Sequence, residues 1–526
     1  MAGKRQKRQV FRYALISVSD KAGIVPLAKK LSDLDYKIIS TGGTARLLSD
    51  HSIPVIPIEL VTGNAESFDG RMKSISFQIE SGILYDRTNA THVKEAAELG
   101  IKDISVVICN LYPFEKTTSN ANVSIDKAVE SIDVGGPTMI RSAAKNFKNV
   151  LVVVTPDDYT KVGTALATNQ VTQILRKELA AKAFAHLSLY DSLIARFLGS
   201  DSFGDEVTIP GRKKLSLRYG ENAHQQGTFY LSPNTSSLFS NLQKLWGRDL
   251  SLTNVLDMNA GLESVRIFEK PAAVVIKHNS PCGIALGDTA KEALQRAIQA
   301  DPESAFGGVI AMNKPLDNVS AKIIASFKEE KRGNIDIIIA PSVTKDALKM
   351  LQTIRKSMGI YASGPLPHID KTRTQIKWVD GGFLLQTTDD FSERDFGNWT
   401  VVTKKKPSAK QLSQMQIGWK FITRIRSNAI IVIDKKLPMT RGIGSGQTSR
   451  LRSTKIALSQ AGLFTKDAIL ISDSFFPFDD SVKLASQHGI SAILQQGGSI
   501  NDAASIRAAD KAGIPMVFTH RRAFWH

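Results

Sequence analysis

Lys277 and His278 directly follow the apolar run Ala272-Ala273-Val274-Val275-Ile276, and such a pair at the end of a strand can share a proton transfer. Burial lowers a lysine's pKa, and histidine already titrates near neutrality. Taken alone, the pair fits an ordinary strand terminus better than a catalytic site. Ser40-Thr41-Gly42-Gly43-Thr44 follows a second strand-like run and opens a helical one. Its glycines admit close backbone approach and the helix N-terminus offers unpaired N–H donors, so it reads as a phosphate cradle or as a plain strand-to-helix turn. Ser17-Val18-Ser19-Asp20-Lys21 sets hydroxyls and a cation at the end of the first strand, the edge where open α/β sheets bind ligands. Two other patterns fail on inspection. Pro281-Cys282 lacks the second Cys and the His-x-Glu of a zinc deaminase, which argues against metal-activated water. The run Gly442-Ile443-Gly444-Ser445-Gly446 lacks the immediately preceding strand that a dinucleotide fingerprint needs.

The elements that position these residues follow from hydrophobic periodicity. Up to about residue 160, strand-like runs (Ala14 to Val18, Lys37 to Ser40, Ser105 to Ile108, Val150 to Val154) alternate with amphipathic helical stretches, the pattern of a parallel α/β sheet. An uninterrupted helical pattern from Thr172 to Leu198 ends in Gly199-Ser200-Asp201-Ser202-Phe203-Gly204-Asp205. This predicts a first domain over 1–199, a linker over 200–211 and a second domain over 212–526. In the second domain, runs at Ala272 to Ile276, Ile335 to Ile339, Ala429 to Ile433 and Ala492 to Leu494 predict α/β structure again. Its length predicts two subdomains, with Lys404-Lys405-Lys406-Pro407-Ser408 as the joint between them.

At 526 residues the chain exceeds what one hydrophobic core supports. Hydrophobic residues make up 42% and charged residues 22%, with no bilayer-length apolar run and no signal-peptide pattern, so a soluble cytoplasmic protein is expected. Two cysteines, Cys109 and Cys282, build no disulfide framework and suit a reducing compartment. The net charge of +18 fits either nucleic acid or small anionic substrates. The basic residues are spread along the chain, and the one dense cluster (Lys4, Arg5, Lys7, Arg8) reads as a solvated tail. No RNP, zinc-finger or zipper pattern accompanies them, so small anions are favoured over nucleic acid.

Three further segments, Asp69-Gly70-Arg71-Met72-Lys73-Ser74, Asn110-Leu111-Tyr112-Pro113-Phe114, and Ile132-Asp133-Val134-Gly135-Gly136-Pro137 followed by Lys145, are individually uninformative. Together with the segments at Ser17 and Ser40, their order and spacing resemble the cyclohydrolase half of the bifunctional AICAR transformylase / IMP cyclohydrolase family. The other half of that family is matched by Lys277-His278-Asn279-Ser280-Pro281-Cys282-Gly283, Leu217-Arg218-Tyr219-Gly220-Glu221-Asn222, Ser304-Ala305-Phe306-Gly307-Gly308, Ser427-Asn428, Gly442 to Arg450, Ser472 to Phe478, Gly497-Gly498-Ser499, and the terminal Arg522 with His526. The resemblance runs from end to end.

The resemblance implies an N-terminal methylglyoxal-synthase-like parallel-sheet domain and a C-terminal transformylase region of two cytidine-deaminase-like α/β subdomains without their metal. It implies formyl transfer from 10-formyltetrahydrofolate, a co-substrate, to AICAR, then closure of formylated AICAR (FAICAR) to IMP with loss of water. By the same resemblance His278, Lys277 and Asn428 carry out the transfer, and Lys73, Tyr112, Asp133 and Lys145 surround the ring-closing atoms. Ser19, Lys21, Thr41, Gly42, Gly43, Thr44, Arg71, Ser74 and Asn110 would hold the nucleotide of the first site. Arg218, Tyr219, Gly307, Asp336, Arg450, Phe475 and Arg522 would hold AICAR, with Asp480 and Ser499 on the folate. The family also implies a homodimer with transformylase sites near the subunit interface. One departure stands out. Where the family reads Lys-Thr-Leu-His-Pro-Lys and then His-Gly-Gly, this chain has Lys73-Ser74-Ile75-Ser76-Phe77-Gln78 and then Glu80-Ser81-Gly82. Two competing readings therefore stand beside the bifunctional one: a transformylase with weakened cyclohydrolase, and a basic nucleic-acid-binding protein that has lost catalysis.

Overall fold

The structure, a computed structural model, describes residues 11–68, 71–120, 122–199, 203–331, 333–370, 373–389 and 393–526. The basic cluster at Lys4 to Arg8, Asp69, Gly70 and linker residues 200–202 lie outside the described residues. The chain divides into two compact units, Met1–Arg212 with Ser232–Asn234, and Lys213–Leu231 with Thr235–His526.

In the first unit β1 (Arg12–Val18), β2 (Tyr36–Ser40), β3 (Val55–Pro57), β4 (Ile104–Asn110) and β5 (Leu151–Val153) form an all-parallel sheet in the order β3-β2-β1-β4-β5. Consecutive residues such as Leu15 and Ile16, Ile38 and Ile39, and Val107 and Ile108 are buried, as strands covered by helices on both faces require. The chain lays β2 and β3 on one side of β1, then β4 and β5 on the other. The direction of winding thus changes between β1 and β4, and the carboxyl ends of these strands, Val18 and Asn110, mark the crevice where such sheets take ligands. The helix expected from Thr172 runs over Gln173–Leu198, with the Thr172 hydroxyl accepting from Leu175 N–H at 3.1 Å.

The second unit opens with the short pair β6 (Arg212–Ser216) and β7 (Thr228–Leu231) and holds two six-stranded mixed sheets. One contains β8 (Gln243–Trp246), β9 (Ala272–Lys277), β10 (Ser280–Leu286), β11 (Gly308–Met312), β12 (Ile335–Ala340) and β13 (Gly359–Ala362) in the order β10-β9-β11-β12-β13-β8. A hairpin, β14 (Thr374–Val379) and β15 (Gly382–Thr387), follows. The other sheet contains β16 (Thr400–Val401), β17 (Ile430–Ile433), β18 (Thr440–Gly444), β19 (Ile469–Ser472), β20 (Ala492–Gln495) and β21 (Met516–Phe518) in the order β18-β17-β19-β20-β21-β16. The two orders are the same connectivity written twice, and every pairing direction matches: a leading antiparallel hairpin, a second antiparallel pair, two parallel pairs, and an antiparallel edge strand. The helix preceding each hairpin, Leu252–Val265 in one and Ala409–Ile422 in the other, even starts with the same capping box, from Ser251 and Ser408.

Side-chain alternation distributes three cores over these two sheets. Val274 and Ile276 of β9 and Ile431 and Ile433 of β17 point into one shared core. The intervening Val275 packs on the far side of the first sheet, and Ile430 and Val432 on the far side of the second. One expectation needs correction. Lys404 to Ser408 is no joint between subdomains, because Thr400 and Val401 upstream already pair with Phe518 and Val517 of the second sheet. The passage between sheets falls earlier, between β13 and β16, where the hairpin stands. The Gly442 run is itself a strand, and a Cβ on Gly442 or Gly444 would strike backbone oxygens of Ala457 or Ser453 in the helix Arg450–Ala461. Those glycines are there so that a helix can lie close on a strand.

Candidate functional site

In the first unit the residues meet at the crevice between β1 and β4. Asn110, at the end of β4, accepts from Ser19 N–H at 2.6 Å and Asp20 N–H at 2.9 Å and donates to the Asp20 carbonyl at 2.9 Å. Its amide thereby shapes the loop after β1 that carries Ser19 and Lys21. Thr44 is also engaged within the protein. Its buried hydroxyl donates to the Val18 carbonyl at 3.0 Å and accepts from Val18 N–H at 3.2 Å, tying the helix Gly42–Asp50 to β1. Thr41 caps that helix from a β conformation and shares a 2.9 Å hydrogen bond with Ser17.

The two glycines at the start of this helix make room for cations. A Cβ on Gly42, whose φ is +39°, would fall 2.6 Å from Lys73 Nζ, and one on Gly43 would fall 3.8 Å from Lys21 Nζ. Next along the chain, Ser74 is buried with its hydroxyl against a second glycine-opened helix: a Cβ on Gly135 would lie 2.5 Å from Ser74 Oγ. Lys73 and Ser74 thus stand beside the N-termini of Gly42–Asp50 and Gly135–Lys145, and the positive end of a helix attracts an anion. Lys73 is held meanwhile by Glu66 at 2.7 Å, and Arg71 pairs with Glu130. The role of Glu66 was missed from sequence, since nothing in the spacing marks it.

Asp133 sits at the head of the second helix. Its carboxylate accepts from Gly136 N–H at 2.8 Å and Tyr112 N–H at 3.4 Å, while its own N–H donates to the Tyr190 hydroxyl oxygen at 2.8 Å. Burial pushes its pKa up, and the two N–H donors pull it back. Tyr112 is exposed, leaving its hydroxyl available. Lys145 is not with them. It is the last residue of the helix that Gly135 opens, ten residues on and therefore roughly 15 Å along the axis at the usual helical rise, beyond a lysine's reach.

The departure at Ser76-Phe77 has a local explanation. Ser76 Oγ accepts from Ile79 N–H at 3.2 Å and so N-caps the helix Phe77–Leu84, whose first residue, Phe77, is exposed. Glu80, in the same first turn, accepts from Ser142 Oγ at 2.5 Å, and burial pushes its pKa up. A cap contributes about 1 kcal/mol, so Ser76→Ala should lower the stability of the first unit by about that amount, read from the shift in a urea midpoint. No change in midpoint would remove the capping role.

In the second unit Lys277 ends β9, and its Nζ donates to the Phe306 carbonyl at 3.0 Å. The neighbouring Gly307 has φ +75°, with open space where a Cβ would be. His278 and Asn279 turn the chain into β10 with φ of +55° and +59°, a left-handed conformation uncommon for such residues. On the second sheet Asn428 precedes β17. Its amide donates to the Gln447 carbonyl at 2.8 Å and accepts from Arg450 Nη2 at 2.7 Å. Arg450 is buried and paired with Asp473, and its Nη1 donates to Ser472 Oγ at 2.8 Å. Arg450 thereby ties Asn428 to Ser472 and Asp473. Asp473 was quoted in a motif without being given this role, because no signal in the sequence pairs it with Arg450.

Phe475 and Ser499 lie on adjacent loops at the carboxyl ends of β19 and β20, joined where Ser474 Oγ and Gln496 Oε1 meet at 2.7 Å and Asn501 donates to the Pro477 carbonyl at 2.8 Å. Asp480 begins the helix Asp480–Gln487 just beyond. Arg522 lies over the Phe524 ring, and the following residue is fixed by a bond from Ala523 N–H to the Asp473 carbonyl at 2.8 Å. Arg218 stacks on Tyr219 at 4.9 Å and is exposed. Asp336 is gripped by Arg248 at 3.1 Å and Arg355 at 2.9 Å. Among the described residues no group of three or more His, Cys, Asp or Glu side chains could hold a metal ion, and no helix is long and apolar enough to cross a membrane.

A parallel α/β unit with two glycine-opened helix N-termini, followed by a duplicated mixed-sheet unit with a Lys-His turn, defines a two-site α/β enzyme. Residues 143–460 match the family described as AICARFT/IMPCHase bienzyme, and residues 23–138 match the MGS-like domain. The chain is 42% identical to a "Bifunctional purine biosynthesis protein PurH" of Thermoanaerobacter sp. (strain X514), over 98% of this chain and 99% of that one. It is 40% identical to the protein of that description from Sorangium cellulosum (strain So ce56), over 98% and 100%, and 42% identical to that from Bacillus cereus (strain 03BB102), over 98% and 99%. The chain belongs to the AICARFT/IMPCHase bienzyme family.

Proposed function

We propose a residue-level division of labour for the two activities that family membership gives this chain, AICAR formyl transfer and IMP cyclohydrolysis. In the second unit, AICAR's 5-amino group is a poor nucleophile, because its lone pair is delocalised into the imidazole and the adjacent carboxamide. Its proton must leave as it attacks the formyl carbon of 10-formyltetrahydrofolate. His278 takes that proton, Lys277 assists the folate nitrogen that leaves, and Asn428 orients the formyl oxygen as it gains charge. Arg218, Tyr219, Gly307, Phe475 and Arg522 hold AICAR, Asp336 meets its ribose, and Asp480 and Ser499 contact the folate. Arg450 acts through Asn428. The chain works as a homodimer in the cytoplasm.

In the first unit the carboxamide nitrogen of FAICAR attacks its formyl carbon and water is lost. Lys73 and Asp133 manage the protons, Tyr112 and backbone N–H groups stabilise the oxyanion, and Ser19, Lys21, Thr41, Gly42, Gly43, Arg71 and Ser74 hold the nucleotide. The observation that supports this half is the position of Lys73 and Ser74 between two glycine-opened helix N-termini. Supplying FAICAR to the full chain and following IMP tests it. Lys73→Met should slow ring closure by about 10²-fold or more, the scale of a proton-transfer residue, while Lys145→Ala stays within a few-fold of the native rate. The opposite ranking would return the proton to Lys145. The second reading, a transformylase with weakened cyclohydrolase, is favoured by the use of Ser76 as a helix cap. FAICAR accumulating as the final product in the native chain would establish it.

A further inference from the structure

The turn that carries His278 is held from two directions. From below, Asp257 of the helix Leu252–Val265 accepts the Asn279 N–H at 2.5 Å. From the other sheet, Arg426 Nη2 donates to the Asn279 side-chain oxygen at 3.1 Å, while the Asn279 amide nitrogen, oriented to satisfy both partners, donates to the Leu256 carbonyl at 3.3 Å. Arg426 in turn accepts Gly446 N–H on its carbonyl at 2.8 Å and lies two residues before Asn428. His278 and Asn279 both have positive φ, a conformation that persists in such residues only where surrounding contacts enforce it.

An amide oxygen would cap the Asn279 N–H as well as a carboxylate does. Burial pushes the Asp257 pKa up, with the Asn279 N–H and the nearby His278 imidazole pulling it down. A buried carboxylate costs free energy that a neutral cap would avoid, so its presence beside an imidazole calls for a use of the charge. The proton acceptor becomes a cation once it has taken its proton, and a fixed anion nearby stabilises that cation. We propose that Asp257 is a positioning residue for formyl transfer: it locks the His278-Asn279 turn through the Asn279 N–H and sets a negative charge against the imidazolium formed during the reaction.

This rests on His278 being the proton acceptor, and the experiment separates the two claims. Asp257→Asn keeps an oxygen for the Asn279 N–H and removes the charge, while Asp257→Ala removes both. In the full chain Asp257→Asn should lower kcat for formyl transfer by about 10-fold or more and leave KM for AICAR within about two-fold, the signature of an interaction needed beyond the ground state. Asp257→Ala should lose more, with a raised KM. In a His278→Ala background, Asp257→Asn should cause no further loss, because residues acting as a unit are not additive. A native kcat in Asp257→Asn, or a loss that adds in full to that of His278→Ala, would overturn the inference. Undiminished transfer in His278→Ala alone would instead overturn the assignment of His278, and the role of Asp257 with it.

Discussion

His278→Ala should lose about 10²–10⁴-fold in formyl transfer, the usual worth of a general acid-base residue, while conversion of supplied FAICAR to IMP continues at the native rate. The two reactions are assigned to units whose cores are separate clusters, so a substitution on the turn between β9 and β10 leaves Lys73, Ser74 and Asp133 untouched. The loss should fall on kcat more than on KM, since the substrate contacts proposed for Arg218, Tyr219 and Arg522 are left in place. Two assays on one preparation decide it, one from AICAR with 10-formyltetrahydrofolate and one from FAICAR. Equal damage to both would mean that the sites are not independent, and no damage to the first would remove the histidine from the chemistry.

The second large effect is expected at a buried ion pair. The Arg450 side chain is 6% exposed and that of Asp473 is 0% exposed, and Asp473 also accepts the Ala429 N–H at 3.0 Å. Arg450→Met leaves the carboxylate without its counter-charge and should destabilise the second unit by about 3–5 kcal/mol. It also releases the Asn428 amide, so formyl transfer should fall even at temperatures where the variant stays folded. Arg450→Lys should not restore either property, because an ammonium cannot reach Ser472, Asp473 and Asn428 with one planar fork. All 5 tryptophans, Trp246, Trp378, Trp399, Trp419 and Trp525, lie in the second unit, so tryptophan fluorescence in a urea titration reports its unfolding alone. A midpoint unchanged from the native chain would refute the pair's structural role.

Motif reading placed strand ends and helix starts well and the hydrogen-bond partners of their side chains less well. The strand ends at Val18, Ser40 and Lys277 were legible because continuous apolar runs stop there and polar or glycine-rich residues begin. The Thr172 cap and the long helix behind it were legible for similar local reasons. What a local pattern does not carry is which partner takes up a polar group. Asn110, Thr44 and Arg450 all stand where the family pattern puts them, yet each spends its hydrogen bonds on the protein. Lys145 is a case of length: its separation from Asp133 becomes a distance only once the intervening residues are known to form one unbroken helix. The joint at Lys404 was misjudged because charge and proline mark any exposed loop, and the pairing of Thr400 with Phe518 spans more than a hundred residues.

The repeated connectivity of the two six-stranded sheets has the form of an isologous interface closed within a single chain. Equivalent strands, β9 and β17, turn equivalent faces to the common core, as two subunits do across a dyad. In a symmetric pair of separate chains any substitution would be made twice. Joined covalently, the copies are free to diverge, and they have done so at the hairpin turn. One copy places Lys277 and His278 there; the other places Asp434, which folds back to accept the N–H groups of Lys436 and Leu437 and the Arg441 guanidinium. In the proposed reading, one scaffold presents the proton acceptor and the other, through Asn428, the amide that orients the formyl oxygen.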